Sequence, residues 1–172
     1  TTLTIVFSEA VAAFANEDVT VQNGALATMT SSDSITWAGT FTPTASTEDA
    51  TNVASVATSY TDTAGNAGAA GTSANYIIDG VDPTVSSVTV SDTTLLSGET
   101  ATLTIVFSEA VAAFANADVT IGSGAISPLA SSDSITWTAT LTPTADTEDA
   151  TNVFSIATSY TDTAGNAGAA GT

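Results

Sequence analysis

The side chains able to do chemistry in this chain are almost all carboxylates: 18 Asp and Glu stand against no Lys, Arg, His or Cys, for a net charge of -18. No imidazole base, Schiff-base amine, arginine clamp or phosphate-binding lysine can be assembled from such a set. A glycosidase-type pair of Glu9 with Asp33 or Asp62 needs one carboxyl raised in an apolar pocket, and the neighbouring residues are Ser, Thr, Ala and Gly. Ser8 and Ser31 have no base, so the chain reads as no enzyme. Polyanions are excluded as partners because phosphates must be neutralised by cations, and anionic membrane surfaces repel it for the same reason. Carboxylates, Asn amides and backbone carbonyls together suit a hard cation, calcium, which takes six to eight oxygens. Without His or Cys, zinc and copper are poor candidates.

The elements that must position these acids repeat. TLTIVFSEAVAAFAN begins at Thr2 and returns at Thr102, and positions 1–72 differ from 101–172 at 16 places, eight of them between Val21 and Thr30. Residues 73–100 occur once. The phase reads as a window on a tandem array: 1–81 is a first repeat lacking its first strand, and 82–172 a second lacking its last. Exchange of terminal strands between chains is the other reading of that phase.

Period-2 alternation puts Leu3, Ile5 and Phe7 on one strand face and Ile35, Trp37 and Phe41 on another. Asn23-Gly24 marks a hairpin turn between DVTV and LATMT. With NVASVATSY, NYIID and SSVTV, about seven strands fall in each 100-residue unit, and only VAAFAN suits a helical turn. A hydrophobic content of 43% is enough for a packed core without disulfides. The expected fold is all-β: tandem immunoglobulin-like β-sandwiches. Phe41 becomes Leu141 while Ala54 becomes Phe154, which reads either as compensating volume changes in one interior or as independent drift.

If each antiparallel strand crosses the sandwich once, every loop belongs to one of two poles. Glu9, Glu17, Asp18, Asp33, Asp62 and Asn66 share one, as do Glu109, Asp118, Asp133, Asp162 and Asn166 in the second copy, while IDGVDPT brings Asp79 and Asp82 to the latter. Glu48 and Asp49 fall in a loop at the opposite pole. Carboxylates gathered without an internal cation call for an external one, or else form a solvated surface. The first alternative makes calcium, which takes carboxylate, amide and carbonyl oxygens, the balancing ion. Pro83 stiffens the linker.

FSEAV, the A-x-DVT at Ala15 to Thr20, S-x-D-S-I-T-W ahead of T-P-T, and TDTAGNAG ahead of a final strand and a D-P-T linker together resemble the bacterial Ig-like repeats of giant calcium-dependent biofilm (RTX-type) surface adhesins. The likeness covers essentially all 172 residues. It implies a secreted, cell-surface extender domain whose loop and linker acids bind calcium, which carried over residue by residue points to Glu9, Asp18, Asp62, Asn66, their copies Glu109, Asp118, Asp162 and Asn166, and Asp79 and Asp82 as ligands, with neighbouring repeats of the same polypeptide as its partners.

The expected function is therefore a structural spacer, rigidified by calcium and, lacking Lys and Arg, immune to trypsin-like cleavage. The alternative is an adhesive or filament-forming module that assembles with other copies by strand complementation or through an exposed strand face such as Thr136, Thr138, Thr140 and Thr142. No run of about 18 apolar residues and no charged-then-apolar leader is present, so direct membrane insertion is not expected and an export signal would lie outside these residues.

Overall fold

A computed structural model describes residues 1–171. The chain divides into two compact units, Thr1–Val81 and Asp82–Thr172. The first contains β1 (Thr2–Val6), β2 (Val11–Ala12), β3 (Val19–Val21), β4 (Gly24–Leu26), β5 (Thr36–Pro43), β6 (Glu48–Asn52), β7 (Ala54–Val56), β8 (Thr61–Asp62), β9 (Gly71–Thr72) and β10 (Tyr76–Asp79). The second contains β11 (Val85–Val90), β12 (Ala101–Phe107), β13 (Val111–Ala112), β14 (Val119–Ile121), β15 (Ala125–Ile126), β16 (Thr136–Thr142), β17 (Phe154–Ile156) and β18 (Thr161–Asp162). Each is a tandem member of the expected type, an Ig-like β-sandwich with, among the described residues, a single 3-10 turn, at Asn16–Asp18 or Asn116–Asp118.

In the first unit one sheet runs β1-β5-β4 and the facing strands run β3-β7-β9, with short pairs β10-β6 and β2-β8, all antiparallel. The second repeats this as β11-β12-β16-β15, β14-β17 and β13-β18. Three local expectations are corrected. Asn23 does turn the chain, with φ 50, but β3 and β4 are no hairpin: β3 pairs with β7 and β4 with β5, so the turn carries the chain from one sheet to the other. The strand expected at LATMT begins earlier and ends at Leu26, because Ala27 to Met29 lead into the loop. The helical turn begins only at the last residue of VAAFAN, Asn16, and runs on to Asp18, since Val11–Ala12 is held in extended pairing with Thr61–Asp62.

The cores are built on a repeated aromatic cluster. Phe107 meets Phe114 at 4.9 Å and Tyr160 at 4.8 Å, and Phe114 meets Trp137 at 5.4 Å, in tilted and edge-on geometries favoured by the ring quadrupoles. Phe7, Phe14, Trp37 and Tyr60 repeat the arrangement. Tyr160 is fully buried, donates its hydroxyl to the Ala169 carbonyl at 2.5 Å, and lies so close to Gly168 that a Cβ there would come 2.3 Å from its ring. Gly68 stands the same way against Tyr60.

The copies differ in coverage. β11 lies along β12 and packs Val85, Val88 and Val90 against the core, so Leu103 and Ile105 are wholly buried. Their counterparts Leu3 and Ile5 are only half-buried, and Val6 is 68% exposed. On β16, Thr138, Thr140 and Thr142 alternate outward as their spacing predicts, while Thr136 is half-buried.

Candidate metal centre

The antiparallel registers bring the acidic loops of each unit to one end. Val6 faces Thr36 and Val19 faces Val56 where those strands meet the loops, and the Val11 N–H donates to the Ser34 carbonyl at 2.9 Å. The loops carrying Glu9, Asp18, Asp33 and Asp62 thus gather at that end of the first unit. Those of Glu109, Asp118, Asp133 and Asp162 do so in the second, where Val106 faces Thr136 and Val119 faces Ile156. Glu48 and Asp49, expected in a loop, stand on β6 instead, because the strand pairing with β10 extends through Asp79 opposite Glu48.

The D-x-x-x-N loop folds on its own carboxylate. Asp162 Oδ1 accepts from the backbone N–H groups of Gly165 at 2.6 Å and Asn166 at 2.9 Å, and Oδ2 accepts from the Asn166 side-chain amide at 2.6 Å. Gly165 takes φ 100, a left-handed conformation that a side chain at this position would strain. Asp62 and Asn66 form the same loop, with Asn66 Nδ2 at 2.6 Å from Oδ2. The Asn66 amide and backbone N–H hold the Asp62 carboxyl below its ordinary range, more than offsetting its desolvation. For Asp162, which is 2% exposed, burial pushes the carboxyl up, but the side-chain and backbone hydrogen bonds of Asn166, with those of Gly165 and Ala164, leave it lowered.

This gives a pH dependence with a defined sign. A carboxyl whose folded pKa lies below its unfolded value contributes stability that is complete above about 3.9 and is lost as pH falls through the lower folded value. Asn166→Ala removes the principal hydrogen bond, so the second unit is expected to lose about 1–2 kcal/mol at pH 7 and to unfold at a higher pH on acidification. Far-UV circular dichroism along an acid titration reads the shift; an unmoved acid midpoint would contradict the assignment.

Asp18 and Asp118 occupy a different environment. Each is buried; Oδ2 accepts the N–H of Ala15 or Ala115 at 2.8 Å, and Oδ1 takes the hydroxyl of Ser59 or Ser159 in a short hydrogen bond. They close the 3-10 turn and tie it to the segment between β7 and β8, or between β17 and β18. Only the spacing hints at this, an acid three residues after the backbone N–H it caps. The serine partner lies 41 residues away and has no local signal. Asp33 and Asp133 likewise turn on their own loops, each accepting two backbone N–H groups and a serine hydroxyl, which lower their carboxyls.

Glu109 and Asp162 come together: their carboxylate oxygens lie within 4.8 Å, with no cationic side chain in the sequence to balance them. Pro83 is fully buried in the second unit, its carbonyl accepting the Ala169 N–H at 3.0 Å and lying 3.5 Å from the Tyr160 hydroxyl. That anchors exposed Asp82 beside the chain that leaves the Asp162 loop. Asp79 ends β10 in the first unit and accepts the Val81 N–H at 3.4 Å. Glu9 is exposed at the end of the first unit that also holds Asp62. The donor set at Glu109 and Asp162 is all oxygen, anionic and partly preorganised by the Asn166 loop, which fits calcium and not a soft metal.

A family model described as Bacterial Ig-like domain matches residues 1–78 and again residues 79–172. No curated protein and no solved structure matches the chain.

Proposed function

The chain belongs to the bacterial Ig-like domain family, as two members in tandem, and from that premise we propose that it is a spacer segment of an extracellular, cell-surface adhesin stiffened by calcium. The family supplies the coarser part, a structural repeat module of surface proteins. The observation that carries the calcium reading is the pairing of Glu109 with buried Asp162 in a chain with no Lys, Arg or His. Two carboxylates at that separation repel unless a cation or a proton intervenes, and Asp162 is held ionised by its hydrogen bonds. Asn166 orients Asp162, Glu109 supplies a second anionic oxygen, and calcium would link the two loops that bear them. Asp79 and Asp82 join the proposal by their place on either side of Val81. Glu9, Asp62 and Asn66 form the corresponding set of the first unit. Asp18 and Asp118 support it from behind, through the turn each closes.

Extracellular modules bind calcium at about 10⁻⁴ to 10⁻³ M, so about 1 mM free ion at the tighter end contributes roughly 1.4 kcal/mol per site by mass action. Thermal unfolding should therefore show a rise in Tm with calcium over EDTA that magnesium at matched ionic strength does not reproduce. Glu109→Ala or Asp82→Ala should remove most of that rise. Equal Tm values in calcium, magnesium and EDTA would leave the acids as a solvated surface on a passive spacer.

A further inference from the structure

The two units differ where β10 packs on the first. In the first, β10 lies along β6, with Tyr76 opposite Asn52 and Asp79 opposite Glu48. The Tyr76 ring meets Phe41 edge-on at 5.5 Å, and its hydroxyl donates to the Gln22 carbonyl at 2.8 Å while accepting the Gln22 N–H at 3.2 Å. Asn52, fully buried, donates to the Tyr76 and Asp49 carbonyls at 3.2 and 2.8 Å and accepts from the Asn23 amide at 2.7 Å. In the second unit the corresponding place is a groove of about 220 Å³ whose lining includes Ile121, Ser123, Leu141, Asn152 and Phe154. Residues 148–152, the copy of β6, form no strand; Asn152 is exposed, and Val153 is 71% exposed where Val53 is 37%.

We propose that this groove is the receptor for an extended segment of the pattern found at residues 73–79, Ser-Ala-Asn-Tyr-Ile-Ile-Asp, which would pair with residues 148–152 as β10 pairs with β6. Three features match that occupant. The Tyr76 hydroxyl uses only the backbone of Gln22, so Gly122 offers the same donor and acceptor. Leu141 replaces Phe41 and Phe154 replaces Ala54 in the lining of this one groove, which redistributes apolar volume under the tyrosine position while keeping an apolar floor. Asn152 and Asp149 are retained, and the Asn152 amide still donates to the Asp149 carbonyl at 3.0 Å, poised as Asn52 is to bond an incoming strand carbonyl. The added strand contributes main-chain pairing for affinity and the tyrosine for specificity. None of this rests on calcium.

The test uses the full 172-residue chain in EDTA and a synthetic peptide of residues 73–80, Ser-Ala-Asn-Tyr-Ile-Ile-Asp-Gly, capped at both ends. Saturable amide shifts are expected at Gly122, Ser123, Asn152 and Val153, with the Tyr76→Ala peptide binding at least about tenfold more weakly. That factor corresponds to about 1.4 kcal/mol. The same eight residues appended after Thr172 should slow amide exchange across 148–152. Absence of saturable shifts at millimolar peptide, equal binding of the Tyr76→Ala peptide, or unaltered exchange in the extended chain would each overturn the proposal. So would a dimer in sedimentation that excess peptide fails to dissociate, since the groove would then be taken by a second copy in another manner.

Discussion

Asp118→Ala is expected to destabilise the second unit by about 3 kcal/mol. The carboxylate is buried and satisfies two groups at once, the Ala115 N–H and the Ser159 hydroxyl. Hydrogen bonds to a charged partner contribute about 1.5–3 kcal/mol, and truncation also leaves buried donors without an acceptor. The 3-10 turn at Asn116–Asp118 loses its closure, and the Ala157 N–H, which donates to the Asp118 carbonyl at 2.8 Å, loses a fixed partner. Asp118→Asn keeps one acceptor oxygen and should cost about half as much. Urea unfolding read by Trp137 fluorescence, in a Trp37→Phe background, isolates the second unit. If the residue acts through the turn, the loss is the same size in EDTA and in calcium. A loss confined to calcium would make Asp118 a direct ligand instead.

Leu103→Ala is expected to cost about 3–4 kcal/mol and Leu3→Ala only about 1–2, although both sit in the same stretch, TLTIVF. Leu103 is 0% exposed beneath the valines of β11, so its removal opens a cavity that rigid neighbours cannot close. Leu3 is half-buried on β1, where solvent already replaces part of the lost contact. The measurement is again denaturant unfolding, with Trp37 reporting the first unit and Trp137 the second. Equal losses would mean that β11 adds little to the packing around β12.

The legible part of the fold was the part encoded locally. Alternation at Leu103, Ile105 and Phe107 marks a strand face whatever its partner, and Asn23 takes a left-handed turn because its short polar side chain tolerates it. Pairing was less legible. Asn23-Gly24 signals a reversal, yet whether the strands on either side bond to one another or join different sheets depends on β5 and β7, more distant in the chain. Glu48–Asn52 carries no apolar alternation and becomes a strand only because β10 lies against it; the identical 148–152 does not. The acids divide in the same way. Asp162 and Asn166, four positions apart, are placed in one loop by the sequence, but that the loop bonds its own carboxylate, like the burial of Asp118 against Ser159, could not be read from spacing.

By itself, then, the sequence determined the repeat, the all-β sandwich and the chemistry available, because strand alternation and an all-carboxylate inventory are properties of the chain before it folds. Only the tertiary structure decided which carboxylates cap turns and which two, Glu109 and Asp162, come together. Those outcomes depend on contacts between residues dozens of positions apart, and near-identical segments met different neighbours.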